Sequence, residues 1–186
     1  MSDTLDFTDW HIPLSRDGLT LREAAADLAR VGADPGDIPF MVRLAENPKF
    51  NLFNGAVDLK THDYIHLILG RGLCAKDEAF VIGFTMGSTR RLSATEESLF
   101  AVVAQLLYPG IYRFTDEDVK VFRDGVRLAF VTEPQPLNQV DYASLMECSL
   151  VGIRHALGIE VPLLRAYYAI EKRRYPHSPE SQRLLD

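Results

Sequence analysis

The sequence predicts an all-α fold, a single-domain, bundle-like arrangement of about seven or eight helices. Three observations carry that prediction. Apolar residues recur at helical spacing, as in Phe100, Val103, Leu106 and Leu107. Helix caps and breakers punctuate the chain throughout. No alternating apolar–polar run is backed by a hairpin turn, so strands are not expected.

The elements follow in order. Thr20 and Glu23 form a capping-box pattern before LREAAADLARV, and Gly32 is expected to stop that helix. After Asp37 and Ile38-Pro39 a helix is expected to run to about Glu46, before Asn47-Pro48, and residues 49–57 (KFNLFNGAV) read as a loop. Asp58 caps a helix over roughly 60–69, ended by Gly70 and Gly72. The next starts near Ala75 and runs through EAFVIGFTMG. Ser93 and Glu96 form a second capping box ahead of SLFAVVAQLLY, which Pro109-Gly110 breaks. Thr115 and Asp118 open DEDVKVFRDGVRLAFV. TEPQPLNQ, with two prolines, is a loop. A helix from about Ser149 to Leu157 is closed by Gly158, and Pro162 fits the first turn of the last helix, VPLLRAYYAIEKRR. An N-terminal arm (about 1–18) and a C-terminal tail (about 175–186) flank the single domain.

Bulk properties exclude several classes. At 186 residues the chain is long enough for one real core. Its net charge of −6 argues against nucleic-acid binding, which needs clustered Lys and Arg. The richest apolar stretch, Leu99 to Leu107, falls well short of the ~20 residues of a spanning helix. MSDTLDFTDW carries neither a signal h-region nor an Arg-rich transit pattern, so a cytoplasmic location is expected. Cys74 and Cys148 are not spaced as a metal pair and read as small buried hydrophobes.

The informative segment is DLKTHDYIHLILGRGLCAKDE, from Asp58 to Glu78. His62 and His66 lie four apart and share a helix face. By the 3.6-residue turn, His66 is only ~40° and Asp63 ~100° round from His62. If the glycines fold the two helices back on each other, Glu78, one turn into the second, arrives at the height of His66. Two imidazoles and two carboxylates then suit a divalent metal: zinc first, with iron or manganese as alternatives. Burying these polar groups among Ile65, Leu67, Ile68 and Leu69 would be costly unless they were paired or coordinated.

His62-Asp63-Tyr64-Ile65-His66, eleven further residues, then Glu78, with Gly70 four after His66, resembles the signature of the coenzyme Q (ubiquinone) biosynthesis protein four family. Motif residues span about 58–83. The resemblance implies that His62, Asp63, His66 and Glu78 ligate a metal, usually zinc. It implies a peripheral membrane protein acting on the polyprenylated ring precursor of ubiquinone. The implied work is removal of the carboxyl group at ring carbon one and its oxidative replacement by a hydroxyl. Organising the other ubiquinone-biosynthesis proteins is also implied. The expected partners are thus a polyprenylated phenolic lipid, those proteins and a membrane surface, with a homodimer left open. A bacterial branch, on the inner membrane, is the simplest placement. The chain departs from the family at Asp77, where a small residue is expected, and in the link 71–76, which lacks the family's proline. Asp77 is either an alternative carboxylate or a helix cap.

Other residues have plainer readings. Gly83 and Gly87 mark close helix packing, with room for a ring or isoprenoid chain beside Phe80, Phe84 and Met86 as the alternative. Cys148 and His155 are structural rather than supports of the centre. Arg71, Arg90 and Arg91 are read as solvated loop residues, with contact to a carboxylate-bearing substrate as the alternative, and Lys172 to Arg174 as a solvated helix end, with contact to a membrane surface or partner subunit as the alternative. Two competing functions remain: a non-catalytic prenyl-lipid-binding scaffold, and a His-Asp-type metal phosphohydrolase. The second needs an upstream histidine, for which only His11 is present, and a distant downstream aspartate.

Overall fold

The computed structural model describes residues 8–31, 57–91, 93–95, 97, 98, 100, 105 and 113–185. Among them the protein is all-helical. Seven α-helices are delimited among the described residues: α1 (Leu21–Leu28), α2 (Leu59–Leu69), α3 (Ala75–Ser88), α4 (Asp116–Thr132), α5 (Leu150–Ala156), α6 (Val161–Arg174) and α7 (Pro179–Gln182). Two 3₁₀ turns, Leu137–Gln139 and Tyr142–Leu145, join α4 to α5. The helix expected to end near Glu46 lies outside the described residues. Of the helix expected after Ser93, part of the first turn is described, and Glu97 N–H donates to the Ser93 carbonyl at 3.0 Å. Glu96 of that capping box, with Val103, Leu106 and Leu107, lies outside, whereas Phe100 is buried in the core.

The expected caps form. Thr20 and Glu23 close a capping box on α1, as do Thr115 and Asp118 on α4, and Asp58 caps α2. Pro162 occupies the first turn of α6. One boundary needs correction. α1 stops at Leu28, not Gly32, because Arg30 and Val31 already make three-residue turns onto the Asp27 and Leu28 carbonyls.

α3 is the central helix, buried at every position from Lys76 to Ser88. Its hydroxyls are satisfied within the helix: Thr85 Oγ1 donates to the Val81 carbonyl and Ser88 Oγ to that of Thr85, both at 2.7 Å. α4 lies against it along a seam of glycines. A Cβ on Gly83 would overlap the Phe122 carbonyl oxygen, one on Gly87 would lie 2.5 Å from that of Val126, and one on Gly125 2.7 Å from that of Phe80. Gly83 and Gly87 are therefore packing residues. Their face is filled by α4 backbone, leaving no space there for a ring or a prenyl chain.

The described parts of the two flanking segments, residues 8–18 and 175–185, pack into the fold rather than standing apart from it as an arm and a tail. Trp10, Ile12 and Leu14 are buried in the core, and Leu14 lies where a Cβ on Gly70 would go. Beyond Tyr175 the chain turns into α7 and buries Ser181 and Leu184. No described helix is long and apolar enough to cross a membrane.

Candidate metal centre

The centre forms where α2 ends and α3 begins. Gly70 ends α2 in the left-handed conformation (φ 70°), which a β-carbon would disfavour. The last carbonyls of α2 are then claimed from outside. Arg154 Nε donates to the Ile68 oxygen at 2.8 Å and Tyr168 Oη to that of Leu69 at 2.6 Å. The His66 oxygen accepts from the Arg71 N–H at 3.0 Å. On the other side, Asp77 accepts from the Cys74 N–H at 3.2 Å and so starts α3. Two fixed helix ends thus bring His66, in the last turn of α2, opposite Glu78, in the first turn of α3. A carboxylate at a helix N-terminus is favoured by the helix dipole.

His62, His66 and Glu78 converge. One ligand atom from each lies within 4.8 Å of the other two, and all three residues are buried. Glu78 straddles the imidazoles, with Oε2 2.9 Å from His62 Nε2 and Oε1 3.3 Å from His66 Nε2. The two Nε2 atoms are 2.9 Å apart, with the rings edge to face. His66 Nδ1 sits 2.6 Å from the Gly72 carbonyl oxygen, which can only accept, so Nδ1 carries a proton. Nε2 of His66 is thereby presented to the centre.

Lone pairs from two imidazoles and a carboxylate meeting at such distances need a proton or a cation between them. Tetrahedral zinc at ~2.0–2.2 Å from each ligand separates ligand atoms by ~3.3–3.5 Å. The observed 2.9 and 3.3 Å require only small side-chain shifts. The His62, His66 and Glu78 set therefore fits a divalent metal. Its donors suit zinc, iron or manganese.

Titration of the metal-free centre follows from its charges. Burial alone pulls the His66 pKa down. The Glu78 charge and hydrogen bond, then Asp63 and Asp77, outweigh it and raise the pKa above the ordinary histidine value. Burial pushes Glu78 upward, but His66 and His62 hold it far below the usual carboxylate range. A raised His66 pKa stabilises the fold fully below about 6.5 and ceases to do so as pH rises through the folded-state value. A lowered Glu78 pKa contributes above about 4.5 and is lost only as pH falls through its folded-state value. The melting temperature of chelator-treated protein is therefore expected to fall as pH rises from about 6.5 through the raised folded-state value of His66. Zinc affinity should rise over the same interval, because the metal needs unprotonated ligand atoms. Parallel melting and zinc-competition titrations check the opposed slopes; equal slopes contradict the assignment.

Asp63 does not join the converging group. A quarter-turn from His62, it leaves the seam facing α3 and is only half-buried, with burial raising its pKa against the pull of His66 and His62. Asp77 is the helix cap rather than a ligand, and it also pairs with Arg183 at 2.5 Å. Cys148 and His155 are exposed and take no part in the group, and Cys148 is not the buried hydrophobe expected. The Cys74 thiol, half-buried, donates to the Thr8 carbonyl and is pushed up to about 12 by burial and by Asp77. Arg71 is the clearest correction: it is fully buried against Glu171. Arg90 pairs with exposed Glu133, and Arg91 is exposed. The end of α6 is likewise not simply solvated, since Tyr167, Tyr168 and Glu171 are buried and Arg174 pairs with Asp124 at 2.5 Å. His11 lies outside the converging group, as does any aspartate among the described residues.

No protein-family model, curated protein or solved structure matches the chain.

Proposed function

We propose that this protein is a metal-dependent protein of ubiquinone biosynthesis, acting on a polyprenylated ring precursor at the step that releases the carboxyl group of ring carbon one as carbon dioxide and installs a hydroxyl there, a two-electron oxidation for which an external acceptor such as dioxygen takes the electrons. The observation that carries the reading is the convergence of His62, His66 and Glu78 across one helical turn and a glycine link. These are three of the four residues whose spacing resembles the coenzyme Q biosynthesis protein four signature.

A divalent metal held by these three residues would supply Lewis acidity toward a ring oxygen or carboxylate. The chain's own part is orientation. Gly72 directs His66, the two oxygens of Glu78 bridge the imidazoles, and the surrounding apolar residues of α2 and α3 exclude water. Asp63, at the edge of the group, adds negative charge without filling a position between the imidazoles. Peripheral attachment to the inner face of a membrane and organisation of the other pathway proteins belong to the same proposal.

The test is elemental analysis of purified protein with mass spectrometry of co-purified lipid, followed by turnover of a polyprenylated hydroxybenzoate. Stoichiometric zinc, iron or manganese is expected, together with a polyprenyl phenol and with loss of product in His66→Ala. Bound lipid with no turnover would instead identify a scaffold. Undiminished turnover by metal-free protein, or phosphate release from nucleotides, would sink the reading.

A further inference from the structure

His66 is oriented by a main-chain carbonyl, and that carbonyl belongs to a residue with an unusually crowded setting. A Cβ on Gly72 would overlap Arg183 Nη2, and would lie 2.5 Å from the Trp10 carbonyl oxygen and 2.9 Å from Asp77 Oδ2. The Gly72 α-carbon is therefore in contact with an ion pair on one side while its carbonyl holds His66 on the other. The ion pair is itself fixed. Arg183 Nη2 meets Asp77 Oδ2 at 2.5 Å, Nη1 donates to the Thr8 carbonyl, and the Asp77 side chain is fully buried. The segment carrying Arg183 is anchored independently. Ser181 Oγ donates to Glu171 at 3.0 Å, Gln182 Nε2 donates to the Lys172 carbonyl at 2.8 Å, and Leu184 is buried.

We propose that Arg183 is a positioning residue for the centre: clamped by Asp77 and the Thr8 carbonyl, it braces Gly72 where its carbonyl takes the His66 Nδ1 proton, and so keeps His66 Nε2 aimed at His62 and Glu78. Its consequence for metal affinity rests on the metal reading above; its consequence for the His66 proton does not. Groups that hold the far nitrogen of a ligating imidazole typically change metal affinity ~10–100-fold when lost. Here the holding group is a carbonyl, which no substitution can remove, so its brace is the accessible handle.

The experiment uses full-length protein and four forms: wild type, Arg183→Ala, Arg183→Lys and Leu137→Ala. Leu137 is a fully buried residue whose N–H bonds Ser88 Oγ, at the far end of α3, ~15 Å along the helix from Glu78. Leu137→Ala thus supplies general destabilisation away from the centre. The first readout is the His66 Nδ1 proton by nitrogen-edited NMR of metal-free protein. It should be slowly exchanging in wild type and Leu137→Ala, lost to exchange in Arg183→Ala, and partly protected in Arg183→Lys. The second is Co²⁺ affinity followed by visible absorption, expected to fall ~10–100-fold in Arg183→Ala and not in Leu137→Ala. An unaltered Nδ1 proton in Arg183→Ala, or no protected Nδ1 proton in wild type, overturns the positioning role. A wild type that binds no Co²⁺ while its Nδ1 proton responds as described overturns the metal reading and leaves the brace standing.

Discussion

With a divalent ion loaded at His62, His66 and Glu78, chelation is expected to lower the melting temperature by on the order of 10 °C, and Glu78→Gln is expected to abolish that dependence. A ligand present at ~1,000 times its dissociation constant, bound only by the folded state, stabilises by ~4 kcal/mol. For a domain of this length each kcal/mol moves the midpoint by roughly 2–4 °C. Glu78 contacts both imidazoles, one with each oxygen, so a neutral amide removes the central charge of the group with almost no change of shape. His62 and His66 alone, two neutral ligands, are expected to lose a divalent ion to a chelator. The comparison is between zinc-loaded and chelated samples of each variant, which cancels whatever the substitution does to the metal-free fold. Asp63→Asn is expected to keep most of the shift, because its carboxylate stands outside the converging group. Scanning calorimetry with and without chelator decides the matter. A wild-type midpoint indifferent to both chelator and added zinc removes the metal from the centre.

Much of this centre was legible in the sequence because its logic is local. A four-residue histidine spacing puts two imidazoles on one face, and two glycines imply a reversal that brings up the next helix. Both expectations hold for His62, His66 and Glu78. Asp63 stands outside the converging group: ~100° of rotation is enough to carry a short side chain off a narrow seam. The caps at Thr20, Asp58 and Thr115 were also legible, since each is satisfied within three residues.

What holds the centre in place was not legible. Arg71 and Glu171 are 100 positions apart, and Asp77 and Arg183 are 106. No periodicity relates such pairs, and Arg71 taken alone reads as a solvated loop residue. The short apolar anchors that seat the ends of the chain, Trp10, Ile12, Leu14 and Leu184, have no repeat to reveal them. The role of the Gly72 carbonyl is invisible for a further reason. It is a main-chain acceptor selected by what crowds its α-carbon, and only Gly72 itself, the one residue that fits there, leaves a trace in the sequence.

Glu171→Gln is expected to cost about 3–5 kcal/mol, the usual penalty for leaving one member of a buried ion pair without its partner. Arg71 and Glu171 meet through two parallel contacts, 3.0 and 2.6 Å, with neither side chain exposed to solvent. The guanidinium lies over Phe80, 4.0 Å from the ring centroid, and over Tyr168 at 4.4 Å. Water cannot replace the lost carboxylate there, and the remaining acid, Asp77, is 3.8 Å from Arg71 and already engaged by Arg183. The double change Arg71→Met with Glu171→Leu is expected to cost clearly less than Glu171→Gln alone, because it removes the stranded charge along with its partner. Salt should distinguish this pair from the exposed Arg22–Glu147 pair, whose small contribution is screened. The pH dependence has a definite sign. Burial opposes ionisation of Glu171, but Arg71 prevails and lowers its pKa, so the contribution is complete above about 4.5 and lost only as pH falls through the lowered value. Urea unfolding of the single and double variants and of Glu147→Gln at pH 7, with and without 1 M salt, measures the penalties and their screening, and wild type against Glu171→Gln followed from pH 7 into the acid range below 4.5 measures the pH dependence. A Glu171→Gln penalty under ~1 kcal/mol, of the size seen for exposed pairs, would mean that Arg71 reaches solvent. In that case the packing of α6 against the link that carries Gly72 is not as described.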